Sequence, residues 1–465
     1  MVSAASVAAA PARGKLAPAI LSLGPIAAVA AGAVVAVVWY GWLLLTRDAG
    51  LATFGYDQAF FQQLVWNLDH GHWFTSSFSP GSFLGLHFEP LLVFPALVEL
   101  VWPDPRALSL LAAASIAGLS PAAFVFLRAL TGRPGLAAAL AAPLPLWPAL
   151  QEAARAGFHP ETMGVGLALL AGWSALRGRP LLCWCLAFLA LGAKEDQAWN
   201  VLVIGLAVAT QPSTRRIGLR LAGAAIVWGV TVTGVVMPIL RVGHHVDTDN
   251  YYRWLAAASP GAILHALTLS GGWLALLVMI VCAGCLPLLR PTWLALAAPP
   301  LVADLLSAHD PQPVLHLQYG LPLVLPVLVA AAVAARSLHA GLLIPILVFP
   351  PVILALTLGS LPPSIRSNAL PFQRPPALAR LEACVRGVPP AASVAADDTL
   401  LAPLSSRQNI RELTAAQPRD YLVVDRQALL PGYVVVVNRD RVLVGSNRPI
   451  LCDDGRFLAL GPSIP

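Results

Sequence analysis

Along most of this chain, polar residues appear only as short interruptions between apolar runs. The runs fall at about 18–46, 107–127, 135–150, 161–176, 181–193, 197–210, 217–240, 271–289, 292–306, 319–335 and 341–359. Several are shorter than the ~20 residues a full crossing needs, so their ends extend into the polar punctuation or the helices break inside the protein. The pattern predicts an all-α polytopic membrane protein with about eleven transmembrane helices. Over residues 57–68, apolar or aromatic residues at Phe60, Phe61, Leu64, Val65 and Leu68 form a helical stripe, which predicts an amphipathic helix at the membrane surface.

Arginine placement orients these spans. Arg128 and Arg133, Arg177 and Arg179, Arg215, Arg216 and Arg220, Arg290, and Arg336 occupy every second connection. If those connections are cytoplasmic, the N-terminus is inside and the C-terminal tail outside. The run 18–46 follows Arg13 and Lys15 and is too long for a signal-peptide core, so it reads as a retained first span. Segment 88–102, "FEPLLVFPALVELVW", carries Glu89, Pro95 and Glu99 and reads as an interfacial or re-entrant helix.

Charge then divides the chain into domains. Of 29 basic and 23 acidic residues, 21 lie beyond residue 360, so the membrane part gives way to a water-exposed tail. The expected division is a transmembrane catalytic domain over 1–360, with its first extracytoplasmic loop at 47–106. A proline-rich tether follows at 361–380, then a small extracytoplasmic α/β domain at 381–465. In that tail "ASVAADDTL", "DYLVVD", "GYVVVVN" and "RVLVGS" read as strands, with a helix near 405–416. The net charge of +6 comes without a basic block interleaved with aromatics, so no nucleic-acid partner is expected. "CWC" and "CAGC" lie inside apolar spans and read as small apolar helix residues, whereas Cys384 and Cys452 can pair if the tail is extracytoplasmic.

With this topology the outward connections hold most of the unusual polar residues. Asp57, in the first turn of its helix, serves as an N-cap or as a base or metal ligand. His87 with Glu89, and His159 with Glu161, are matched pairs of a histidine two residues before an acid, each beside an aromatic and at the start of an apolar stretch. Extended backbone would put each pair on one side. Three uses then stay open: a divalent cation such as Mg2+ or Mn2+, a substrate phosphate, or local hydrogen bonding. The candidate cation ligands are Asp57, His87, Glu89, His159 and Glu161.

Lys194 is one of two lysines in the chain and sits in "AKEDQAW" with Glu195 and Asp196. A lysine offers a compact, mobile charge suited to a phosphate, although interfacial snorkelling with local ion pairing explains it too. Tyr56, Arg155, Tyr252 and Arg253 join the candidate substrate contacts, the last two from the polar and aromatic stretch "HHVDTDNYYRW". There is no glycine-rich nucleotide loop and no charge ladder deep in the spans, which counts against an ATP-driven pump and, less strongly, against a secondary transporter.

The blocks "FGYDQAFFQQLVWNLDHG", "FLGLHFEPLLVFPAL", "FHPETMGVGLALLAG" and "LGAKEDQAW", followed by "SVAADDTLLAPLSSRQNI" and "DYLVVD", resemble the DUF2079 family of bacterial polytopic membrane proteins. That family looks related to the C-type glycosyltransferases, which take a sugar from a polyprenyl-phosphate carrier at the outer face. The resemblance implies that fold, a lipid-linked sugar donor, a glycan or lipid acceptor, and an acidic base in the first outer loop, here Asp57. His87, Glu89, His159, Glu161 and the Lys194–Asp196 trio would line the site. The rival readings are a lipid-linked sugar or headgroup flippase without bond cleavage, and a non-catalytic envelope assembly protein.

Overall fold

The computed structural model of the 465-residue chain describes residues 16–53, 55–241, 243, 248–338, 340–427 and 448–463. Five helical stretches among them are long and apolar enough to cross a membrane: Gly24–Ala49, Arg106–Thr131, Pro212–Arg241, Pro260–Cys282 and Leu317–Ala335. This corrects the expected count of about eleven. The cause is the spacing of proline and glycine. Run 135–150 divides into the Pro134–Ala141 helix, a turn at Leu144–Leu146 and the start of the Pro148–Ala156 helix. Run 292–306 divides into Pro291–Leu294, Ala295–Ala297 and Ala298–Leu305. The Pro180–Leu191 and Gln197–Ala209 helices have 12 and 13 residues. At ~1.5 Å per residue, helices of that length fall well short of a ~30 Å hydrocarbon core.

Burial separates the centre of the bundle from its rim. Within an 18-residue apolar stretch of each helix, 83% is buried in Leu317–Ala335 and 61% in Arg106–Thr131, against 17% in Pro212–Arg241 and 22% in Pro260–Cys282. Small residues allow the closest approaches. A Cβ on Gly205 would lie 2.7 Å from the Ala222 nitrogen and one on Gly218 2.5 Å from the Ala209 nitrogen, so the Gln197–Ala209 and Arg215–Thr231 helices pack backbone to backbone. Arg133 donates to the Ala335 carbonyl at 2.6 Å, and Arg336 and Gln211 donate to that of Leu130 at 2.7 and 3.0 Å. Three connections therefore meet at one end of the bundle, where these side chains satisfy the last carbonyls of the helices.

Segment 88–102 forms a turn at Pro90–Leu92 and a helix at Val93–Glu99, too short to cross. It exposes Phe94, Leu97, Leu100 and Val101 and buries Glu99, which accepts from Gln62 at 2.7 and 2.8 Å.

The C-terminal region is β-rich. Strands β1 (Val394–Ala396), β2 (Ile410–Glu412), β3 (Tyr421–Asp425), β4 (Ile450–Asp453) and β5 (Phe457–Leu460) form one open sheet in the order β2-β1-β3-β5-β4. The β2, β1 and β3 strands run parallel, and β5 is antiparallel to β3 and β4. Two local expectations are corrected. The strand read through "DDTL" turns after Ala396 into the Asp398–Leu404 helix, and the helix read near 405–416 is instead β2 followed by a turn at Leu413–Ala415. "GYVVVVN" and "RVLVGS" lie outside the described residues. Cys384 and Cys452 are joined by a disulfide. The core of this region includes Leu51 and Ala59 from the start of the chain, so it is docked on the bundle as well as tethered to it.

Candidate active site

A cavity of about 850 Å³ collects eleven of the twelve candidate residues: Tyr56, Asp57, His87, Glu89, Arg155, His159, Glu161, Lys194, Glu195, Asp196 and Tyr252 all line it. The twelfth, Arg253, is outside the lining. It begins a turn at Arg253–Ala256 with its side chain toward solvent. Of the other polar residues in that stretch, His244, His245 and Asp247 lie outside the described residues.

The Gly55–Asp69 helix brings Asp57 to the cavity. Its apolar stripe (Phe60, Phe61, Leu64 and Val65) is buried in the bundle core, and Asp57 stands in the first turn with 42% of its side chain exposed. Asp57 does not cap this helix. The amides of Gly55 and Tyr56 donate to the Asp398 carboxylate, at 3.4 and 3.1 Å, which leaves the Asp57 carboxylate to the cavity. Tyr56 packs edge-on against Phe60 and Phe78.

Facing Asp57 is "AGFHPETM". The Pro148–Ala156 helix stops at Gly157, whose φ of 96° suits glycine and whose Cβ position lies 2.8 Å from Gln58 Oε1. Phe158 is buried, His159 is extended, and Pro160 opens the next helix at its first position, with Glu161 in the first turn. His159 Nε2 lies 4.0 Å from Asp57 Oδ2. Only 5% of His159 is exposed, its ring stands edge-on to Phe61 at 5.1 Å, and Nδ1 has no hydrogen-bond partner.

The third wall is the turn between the Pro180–Leu191 and Gln197–Ala209 helices. Lys194 Nζ donates to Glu161, and both are nearly enclosed. Glu195 accepts from His87 Nδ1 at 3.0 Å and from the Phe88 amide at 2.9 Å. Asp196 accepts from Gln197 at 3.0 Å. The trio thus divides: Lys194 joins the Glu161 turn, while Glu195 braces the 87–89 strap. That strap is also fixed by the Leu91 amide on the Gly192 carbonyl at 2.8 Å.

Electrostatics follow from this packing. Burial lowers the Lys194 ammonium, but Glu161, Asp196, Glu89 and Glu195 outweigh it and hold the group well above its usual value, so it stays charged. Burial raises Glu195, yet His87 and then Lys194 pull it down to about 2. Asp196 is pushed up to about 6 by burial, with Lys194 opposing and Glu161 and Glu195 reinforcing. Glu89, only 1% exposed and with Oε2 unpartnered, is raised well above its ordinary value, first by burial and then by Glu161, with Lys194 opposing.

The five candidate cation ligands do not form a ligand set. His87 is committed to Glu195 and Glu161 to Lys194. Among the described residues no three His, Cys, Asp or Glu side chains are grouped to hold a metal ion. A hard cation needs several oxygen donors converging on one point, and this arrangement does not fit that requirement.

The cavity also holds residues outside the original candidate set. Tyr251 stacks on His309 at 4.6 Å and 10°, and His309 meets Tyr319 edge-on at 5.8 Å. Asp304 lines the cavity from within the apolar run 292–306, where a lone acid was the available signal. Asp398 and Glu412 reach it from the C-terminal region, with no local motif to mark them.

Residues 47–442 match the family described as Predicted membrane protein (DUF2079), and the chain belongs to that family. No curated protein matches the sequence. The fold resembles that of ArnT from Cupriavidus metallidurans bound to undecaprenyl phosphate: 12% identity, TM-score 0.53, 96% of this chain and 98% of that chain covered. ArnT in the apo state matches at 13% identity and TM-score 0.37, over 93% and 98% of the two chains. At 12% identity the likeness to the first of these is one of fold alone.

Proposed function

We propose that this protein is an inverting glycosyltransferase that moves a sugar from a polyprenyl-phosphate carrier to a glycan or lipid acceptor of the cell envelope, at the outer membrane face. The observation that carries this reading is the Asp57 carboxylate: part-exposed in the cavity, 4.0 Å from His159, and relieved of capping its own helix by Asp398. Asp57 takes the proton of the acceptor hydroxyl as its oxygen attacks the anomeric carbon. The carbon–oxygen bond to phosphate breaks, and the carrier leaves as polyprenyl phosphate with the bonding electrons. Because that leaving group is already stabilised, one base suffices.

Lys194 and Arg155 are the lysine and arginine of the cavity lining, and the donor phosphate is assigned to them. Lys194 has three ammonium donors, so its bond to Glu161 leaves capacity for a phosphate oxygen. Further support comes from the fold shared with ArnT, a protein that holds undecaprenyl phosphate. The N-terminus is assigned to the cytoplasm and the C-terminal region to the extracytoplasmic side. What supports this is the gathering of Arg133 and Arg336 at one end of the bundle, as the positive-inside bias expects of a cytoplasmic end, and the Cys384–Cys452 disulfide, which suits an oxidising compartment.

The test is to incubate purified protein with a panel of polyprenyl-phosphate sugars and envelope acceptors and to follow release of polyprenyl phosphate, comparing Asp57→Asn with the parent. Release that falls in the variant supports the assignment. Equal release removes Asp57 as base, and movement of an intact lipid-linked sugar across vesicles without release would replace transfer by flipping.

A further inference from the structure

The C-terminal region touches the Asp57 helix at its first turn and along one side. Strand β1 delivers Asp397 and Asp398 in opposite directions. Asp397 accepts from the Asp425 amide at 2.7 Å, which ties the turn to β3. Asp398 crosses to the other chain segment and accepts from the amides of Gly55 and Tyr56. These are two of the amide donors that a helix start cannot satisfy internally.

Approach at this point is backbone to backbone. A Cβ on Gly55 would lie 1.5 Å from the Asp398 carbonyl oxygen, so only glycine permits the contact. Along the side of the helix, Gln63 Nε2 donates to the carbonyls of Arg407 and Gln408 at 3.1 and 2.9 Å, and Gln62 donates to Ser406 at 3.2 Å. Both glutamines are fully buried. Ser77, which is bonded to Gln63, accepts from the Ile410 amide at 3.0 Å. Ala59 completes the seam by packing into the cluster that holds Leu400 and Leu401.

We propose that the C-terminal region is a working part of the site, and that Asp398 is a positioning residue whose carboxylate holds the first turn of the helix so that Asp57 faces His159. This rests on the reading of Asp57 as base. A surface domain that merely docks would need contacts along the helix side. It would not need a half-buried carboxylate set at the one turn that carries the base, nor a glycine that closes the gap to it. Asp57 lies one residue beyond the capped Tyr56 amide, so loss of the cap lets that turn fray and moves the carboxylate away from His159.

Two readouts test this on the full-length protein in detergent. Asp398→Ala removes both acceptors, whereas Asp398→Asn keeps one carboxamide oxygen for the same amides. Hydrogen exchange in the peptide covering Gly55–Phe60 is expected to speed up about fivefold to tenfold in Asp398→Ala, the scale of a lost N-cap, and to return most of the way in Asp398→Asn. With an active donor, kcat is expected to fall about tenfold in Asp398→Ala while KM for the donor changes less than twofold, and Asp398→Asn should recover most of kcat. Unchanged exchange in Asp398→Ala overturns the cap, and faster exchange with unchanged kcat overturns the positioning role. A parent protein that releases no polyprenyl phosphate from any donor sinks the base reading instead, and the exchange result still decides the cap.

Discussion

Lys194 and Glu161 form an ion pair in the cavity wall with only 12% and 3% of their side chains exposed. Removing either partner strands a charge that the protein has already stripped of water. Lys194→Met or Glu161→Gln is expected to cost about 3–5 kcal/mol, read as a lowered midpoint of thermal unfolding in detergent. The double variant Lys194→Met/Glu161→Leu strands no charge within the pair and is expected to recover most of that loss. If Lys194 also neutralises the donor phosphate, the double variant regains stability without regaining transfer. Full activity in that variant would reduce Lys194 to a brace.

Asp57 and His159 differ in how they meet the cavity, and their variants should differ too. Asp57→Asn keeps shape but accepts no proton, so transfer is expected to fall ~10²–10⁴-fold with donor binding retained. His159 is buried and 4.0 Å from Asp57, a separation that a bound hydroxyl could tighten. His159→Gln is expected to lose about tenfold, through orientation of Asp57. Single-turnover release of polyprenyl phosphate separates the two, and equal losses would put both residues in one proton-handling unit.

The approach to this site was legible where the signal is local. "YDQAFFQQ" carries an apolar stripe at helical spacing behind an acid, and "FHPETM" places proline and glutamate where a helix begins, so both turns could be anticipated from their own residues. Asp398 could not. It is 342 residues from Tyr56, and "AADDTL" after a β-like run reads as more strand. The count of crossings failed for a similar reason: an apolar run of 12 residues looks the same whether it spans lipid or packs inside a bundle, and only the fold decides. Arg253 sits in a stretch as polar and aromatic as its neighbour Tyr252. Which of two adjacent side chains faces a cavity depends on turn geometry that spacing does not encode.

Glu195 predicts a loss of stability in acid. Its native value of about 2 lies below the ordinary value of 4.5, despite burial, because His87 and Lys194 favour the charged form. A depressed carboxylate stabilises the fold above its unfolded value, and the contribution disappears as pH falls from about 4.5 toward 2. Unfolding midpoints measured between pH 7 and pH 3 should therefore drop more steeply in the parent than in Glu195→Gln, which starts lower at pH 7. Parallel curves would show that His87 does not hold Glu195 ionised.

Asp398 predicts the opposite slope. Burial raises it from 3.8 to about 6, Glu412 and Asp57 add repulsion, and the amides of Gly55 and Tyr56 pull it back only in part. The folded state therefore keeps the proton after the unfolded chain has lost it. This contribution to stability is complete below about pH 3.8, falls as pH rises toward 6, and is level above that. Asp398→Asn removes the titration, so the midpoint of the variant minus that of the parent should become more positive between pH 4 and 6.5. Transfer by the parent should rise over the same interval, because the ionised carboxylate makes the stronger cap on the amides of Gly55 and Tyr56. A carboxylate kept at a cost to stability, at the turn that carries the base, is what a positioning role requires. A midpoint difference that stays flat across this interval would show that Asp398 is ionised throughout, and any rise in activity would then belong to another group.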